Sequence, residues 1–122
     1  MPQAVRALRG ATTADADTPE SITERTVELL GAVLERNGAT TDDLISVLFT
    51  ATPDLTSMFP ATAAREVGFG AIPLLCATEI DVAGATPRCI RVLLHLTTDR
   101  TVHELHHIYL HGAMGLRDDL PD

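Results

Sequence analysis

The chain has 122 residues, of which 45% are apolar, and it carries a formal net charge of −8. That length and apolar share suit a single domain, residues 1–122, with a substantial core. The acidic balance argues against nucleic acid as a partner, because phosphate recognition needs a basic surface.

No run of 18 apolar residues stands ready to span a membrane, and the opening MPQAVRALRG lacks a signal-peptide apolar core. Two cysteines, Cys76 and Cys89, are too few for a disulfide framework. The expectation is a cytoplasmic protein with reduced thiols and no membrane partner. The nine basic residues are all arginine, whose planar fork clamps carboxylates at two points. A few of them gathered in one pocket would suit a small anion. The aromatics are Phe49, Phe59, Phe69 and Tyr109, too few for a base-stacking surface.

In chain order, AVRALRG (4–10) alternates well enough for a strand, and ATTADAD is expected as a loop. A helix then opens at Asp17 or Thr18 as cap, with Pro19 in the first turn and Glu20 at the positive end of the dipole. Ile22, Thr26, Leu29, Leu30, Val33 and Leu34 recur at helical spacing, and Asn37-Gly38 closes the element. LISVLFTA (44–51) reads as a buried strand stopped by Pro53, followed by the irregular TPDLTSMFP. ATAAREVG (61–68) reads as a short helix, IPLLCATEI (72–80) as a strand and DVAGATP as a turn. RCIRVLLHLTT (88–98) is a further strand, DRTVHEL a single helical turn, and HIYLHGAMGLR (107–117) an extended segment with a glycine-eased bend. The order β-α-β-α-β-β-β describes an α+β domain. Two helices cannot cover both faces of such a sheet, so a homo-oligomer is expected to supply the rest.

HELHH (103–107) matches the zinc-hydrolase pattern H-E-x-x-H through His103, Glu104 and His107. That chemistry needs both histidines on one face of a long helix. Here the helical stretch is about a turn, and His107 runs into the apolar IYL. In extended chain, residues four apart lie about 13 Å from each other, too far for one metal. The reading is therefore solvated histidines and no metal.

The residues that invite chemistry are Arg9, Cys76, Glu79, Arg91, Tyr109 and Arg117 on strands, with Phe59 and Arg65 flanking the short helix. Each has an ordinary reading. Arg9 suits the surface, Glu79 suits pairing with an arginine, and Cys76 suits a small core residue. Arg91, between Ile90 and Val92, is either outward-facing or a buried charge that needs an anionic partner. No Ser/His/Asp set and no phosphate-binding glycine loop is present. The set suits binding of a small dicarboxylate better than hydrolysis.

Taken in order, RGATT (9–13), ATPDLTSMFPATAAR (51–65), PLLCATEIDVAG (73–84), RCIRV (88–92), YL (109–110) and LRDDL (116–120) carry a resemblance over nearly the whole chain. With these segments the chain resembles the bacterial AroH-class chorismate mutases. The resemblance implies a mixed β-sheet packed with two main helices in a trimeric pseudo-β-barrel. It implies rearrangement of chorismate to prephenate for phenylalanine and tyrosine synthesis, without metal or cofactor, in sites between subunits of a homotrimer.

By the same resemblance, Arg91 faces the breaking ether oxygen, and Arg9 and Tyr109 bind the enolpyruvyl carboxylate. Glu79, with the chain around Cys76, meets the ring hydroxyl and the ring's developing positive charge. Leu75, Ala77 and Thr78 line the ligand. Phe59, Ala61 and Arg65 come from a neighbouring subunit, and Leu116 and Arg117 help close the site. Two departures stand out: Thr62 occupies a position where some relatives carry lysine, and the tail after Leu120 is short. Competing readings are a non-catalytic sensor of small carboxylates and a trimeric imine-deaminase-like protein; the C-x-x-E segment favours the mutase.

Overall fold

A computed structural model describes residues 3–116. The elements are β1 (Ala4–Thr13), α1 (Pro19–Arg36), β2 (Leu44–Ala51), α2 (Pro60–Ala64), β3 (Leu74–Thr78), β4 (Cys89–Thr98) and β5 (Ile108–Tyr109). Five strands form one mixed sheet in the order β3-β2-β4-β1-β5. β4 runs antiparallel to both β1 and β2, while β2–β3 and β1–β5 are parallel pairs. The α+β expectation and the element order therefore hold.

Both helices lie on the same face of the sheet. Leu29, Leu30 and Val33 of α1 and Ala61 and Ala64 of α2 pack with Leu8, Val47, Phe49, Val92, Leu94, Leu96 and Ile108 in one core. Full burial of each such aliphatic side chain contributes about 1.5–3 kcal/mol. Thr18 caps α1 by accepting the Ser21 N–H at 3.1 Å, and Pro19 supplies the favoured first-turn residue. The other candidate cap, Asp17, instead holds the 52–59 loop. It accepts from both the backbone N–H and the hydroxyl of Thr56 and of Ser57, at 2.8–3.0 Å.

Among the described residues, no α-helix covers the opposite face of the sheet. Val5, Leu48 and Leu75 are 59%, 37% and 60% exposed there. That is the uncovered apolar face that the two-helix argument anticipates.

Several boundaries differ from the sequence expectation. β1 continues through Thr13, because pairing with β4 runs on from Gly10↔Val92 to Thr13↔Cys89. Gly10 is the enabling residue: a Cβ there would meet the Ile108 carbonyl at 3.1 Å and both Leu29 and Val92 at 3.2 Å. β3 is shorter than 72–80, since the Ile72 N–H is turned back to the Phe69 carbonyl and Ile80 is 86% exposed. α2 gives way after Ala64 to a wide turn over Arg65–Phe69, in which Gly68 takes a φ of +103°. The stretch expected as extended over 107–117 is a strand only at Ile108–Tyr109. His111 adopts a φ of +52° and starts a tight turn through Ala113. Arg117 lies outside the described residues.

Candidate active site

The site is built by strand register. Across the uncovered face, Ala77 of β3 stands beside Thr50 of β2, Thr50 beside Arg91 of β4, Arg91 beside Ala11 of β1, and Ala11 beside Tyr109 of β5. One row thus crosses all five strands. The next row aligns Leu75, Leu48, Leu93 and Arg9. Neighbouring strands lie about 4.8 Å apart, so Arg91 and Tyr109 flank Ala11 across a gap of about 10 Å. Arg9 is one row away on the same face. The alternation that buries Ile90, Val92 and Leu94 against the helices turns Arg91 outward.

Glu79 follows β3 directly, and its N–H continues the ladder by donating to the Ala51 carbonyl at 2.9 Å. Its carboxylate reaches back to the row: Oε2 accepts the Thr50 hydroxyl at 2.6 Å and lies 3.0 Å from Arg91 Nε. The Arg91 Nε–H is buried and not aligned on that oxygen as a hydrogen bond, so this contact is an electrostatic one. Arg91 is therefore not a stray surface charge. Of the two readings its sequence position allowed, it is the outward-facing one, with an anionic neighbour.

Beside Arg91, Cys89 is fully buried with Ala11 and Ala113, and Tyr109 and Leu116 pack against the same small cluster. Burial pushes the Cys89 thiol up to about 11, against the opposing pull of the Arg91 guanidinium. It stays a neutral thiol.

The β4 entry is fixed by the T-P-D stretch. Thr52 Oγ1 accepts the Cys89 N–H at 2.9 Å and donates to Asp54 Oδ1 at 2.5 Å. Asp54 Oδ2 in turn accepts the Arg88 N–H at 2.9 Å. These bonds set where β4 begins, and so where Arg91 points.

The other expected residues divide. A cleft of about 450 Å³ opens between β3 and the loop before α2, lined by Phe59, Thr62, Thr50, Cys76, Ala77 and Thr78 among others. Among the described residues no arginine lines it. Cys76 pairs with the buried Phe49 and packs toward the core, so its side chain is on the helix side, away from Arg91. Leu75 alternates to the uncovered face. Phe59 is 69% exposed, Ala61 is a core methyl, and Arg65 is exposed after α2. Within one chain, then, Arg9, Glu79, Arg91, Tyr109 and Leu116 come together, while Phe59, Ala61 and Arg65 do not join them.

Sequence reasoning missed Thr50 and Cys89 as neighbours of the site. A hydroxyl inside the otherwise apolar LISVLFTA was the available signal for the first, and the spacing C-x-R in one strand for the second.

HELHH is not a long helix, and only its start shares the single helical turn expected over DRTVHEL. Val102–Glu104 form one tight turn, capped by the Glu104 carboxylate, which accepts the Thr101 N–H at 2.8 Å. His106 is tied through its backbone to Asn37, and His107 Nδ1 accepts the Arg9 N–H at 3.0 Å. Burial holds His107 below the usual imidazole range, which suits that acceptor role. Among the described residues no group of three or more His, Cys, Asp and Glu side chains is placed to hold a metal ion. None of the helices among the described residues is long and apolar enough to cross a membrane.

Comparison with known proteins identifies the family. Residues 5–120 match the family model described as chorismate mutase type I. "Chorismate mutase AroH" of Thermus thermophilus is 50% identical over 117 residues, covering 95% of this chain and 96% of that protein. Its namesake in Bacillus subtilis is 41% identical, covering 95% and 92%. A solved structure titled as a chorismate mutase from Clostridium thermocellum superposes with a TM-score of 0.87 at 45% identity, covering 88% of this chain and 96% of that one. With a match over nearly its full length, the chain belongs to the chorismate mutase type I family.

Proposed function

We propose that the chain rearranges chorismate to prephenate by holding the dianion on the uncovered sheet face, with Arg91 at the ether oxygen. The observation that carries this reading is the row Ala77–Thr50–Arg91–Ala11–Tyr109, with Glu79 bound into it. The reaction breaks a C–O bond while a C–C bond forms within one molecule. It asks for no proton, nucleophile or redox group, which fits a site without a base–nucleophile pair. Two effects remain for the protein. The first is to hold the flexible substrate in its compact reactive shape. The second is to set positive charge where the ether oxygen becomes negative.

In this reading Arg91 meets the ether oxygen, and Arg9 and Tyr109 bind the enolpyruvyl carboxylate. Glu79 meets the ring hydroxyl and the ring's developing positive charge. The part of Cys76 is played through its main chain, since its thiol points to the helix side. Phe59, Ala61 and Arg65 complete the site from a neighbouring copy, in a homotrimer whose sheets close as a pseudo-barrel over Val5, Leu48 and Leu75. The exposure of those three side chains supports that assembly. Leu116 and Arg117 belong to the segment that closes over the ligand. The product feeds phenylalanine and tyrosine synthesis in the cytoplasm, and no metal or cofactor takes part.

The test is chorismate consumption by purified protein, with and without EDTA, beside its mass in solution. Conversion to prephenate by a trimer, indifferent to chelation, is the expected result. Tight chorismate binding without conversion would leave a sensor of small carboxylates. An active monomer would overturn the shared site.

A further inference from the structure

The Glu79 carboxylate faces two partners through a single oxygen. Oε2 receives the Thr50 hydroxyl at 2.6 Å and stands 3.0 Å from Arg91 Nε. The first is the length of a charge-assisted O–H···O⁻ bond, and the second is not aligned as a hydrogen bond. The hydroxyl, rather than the guanidinium, therefore sets the direction of the carboxylate. We propose that Thr50 is a positioning residue for the rearrangement: it holds Glu79 in a one-oxygen contact with Arg91, so that both groups stay available to substrate. The inference rests on the functional reading above.

The physical need is clear. A free arginine–carboxylate pair settles into a two-point fork, in which both oxygens accept from parallel N–H groups. That geometry would spend the Arg91 charge on Glu79 and turn both carboxylate oxygens away from a ligand. Thr50 stands directly across from Arg91 in β2–β4 pairing and directly beside Ala77 in β2–β3 pairing. Its backbone is thus fixed on both sides, and its hydroxyl donates to the same carboxylate oxygen that faces Arg91. With Oε2 taken by Thr50, Oε1 is left for a ligand hydroxyl, and Arg91 meets Glu79 at Nε alone.

Four variants test this: Thr50→Val, Thr50→Ser, Glu79→Gln and the double variant Thr50→Val/Glu79→Gln. Valine suits a strand and keeps the shape, and serine keeps only the hydroxyl. Thr50→Val is expected to lose about tenfold in kcat/KM, close to 1.4 kcal/mol, while Thr50→Ser stays within about twofold. In the Glu79→Gln background the valine change is expected to cost less than about twofold. Equal losses in the valine and serine variants would make Thr50 a packing residue and overturn the proposal. So would a valine penalty that persists undiminished without the Glu79 carboxylate.

A second readout needs no turnover. The infrared difference between wild type and Glu79→Gln isolates the Glu79 carboxylate band, which Thr50→Val should shift and Thr50→Ser should leave in place. No shift with valine overturns the geometry itself. A wild-type protein that does not convert chorismate, yet shows the band shift, counts against the functional reading and not against the Thr50–Glu79 contact.

Discussion

Replacing Arg91 by lysine keeps the charge and removes the fork, so it asks which of the two the site uses. Arg91 meets Glu79 through Nε at 3.0 Å, and its side chain is 40% exposed. Opposite charges at that distance attract by about 5 kcal/mol at an effective dielectric of 20, and by less where water reaches them. A guanidinium has further N–H groups to offer a ligand while Nε faces the carboxylate. An ammonium is one point charge, and the nearest anion is Glu79. Lysine at this position is therefore drawn to the carboxylate and away from the ether oxygen.

Losing one preorganised donor to a developing oxyanion costs about 2.7–4 kcal/mol, or roughly 10²–10³ in kcat. Arg91→Lys is expected to lose at least that factor, mainly in kcat, because the missing contact matters most as the oxygen gains charge. Arg91→Ala is expected to lose more. Loss of the chorismate ultraviolet absorbance, followed across substrate concentrations, separates kcat from KM. A lysine variant within about threefold of wild type in kcat would refute the argument, since a bare charge would then suffice.

Two further predictions concern the scaffold that aims the site. The hydrogen bonds on Asp17, the Thr56 hydroxyl's first among them, pull its carboxyl from 3.8 down to about 2. A depressed carboxyl stabilises the fold above its unfolded value and stops doing so as pH falls through the folded one. The gap in melting temperature between wild type and Asp17→Asn is thus expected to be flat above about pH 5 and to close between pH 4 and 2. A gap constant through that window would show that the loop does not depend on this charge. Asn37 is buried and makes three hydrogen bonds, to the Val33 and His106 carbonyls and from the His106 N–H, at 2.7–2.9 Å. Asn37→Ala strands two of His106's backbone groups and is expected to cost about 2–4 kcal/mol, lowering the melting temperature by roughly 10 °C. A shift under about 3 °C would mean that water replaces the amide.

What was legible in the chain followed from period and punctuation. The stripe from Ile22 to Val33 predicted α1, the Asn37-Gly38 pair its end, and the apolar run 44–51 predicted β2. Less legible were the strand ends, which depend on partners far along the chain. Thr13 is in β1 because Cys89 lies opposite it, and nothing in ATTADAD announces that. His111 turns the chain with a positive φ that its residue type does not advertise. The site behaves the same way. Arg91 was recognisable as a charge needing a partner. Which partner, and that Thr50 stands between them, depends on the β2–β4 register, which no local pattern contains. Cys76 shows the converse: proximity in sequence to Glu79 hid the alternation that sends its side chain to the other face.

Charge also supports the proposed shared site. Among the described residues, the uncovered face of one chain offers two guanidiniums, Arg9 and Arg91, against one carboxylate, Glu79. Chorismate brings two negative charges, and the chain as a whole carries −8. Those described residues alone leave the ligand's two negative charges short of partners, and in the proposed site Arg117 and Arg65 add to them. Arg65 is exposed after α2 and does not join the Arg91 row within its own chain, and in the proposed trimer it supplies positive charge to a neighbouring copy. Thr62 adds no charge there. Arg65→Ala is then expected to raise KM several-fold with a smaller change in kcat, and to flatten the fall of kcat/KM with salt that a positive funnel in an acidic protein requires. An unchanged salt slope in that variant would place the attracting charge elsewhere.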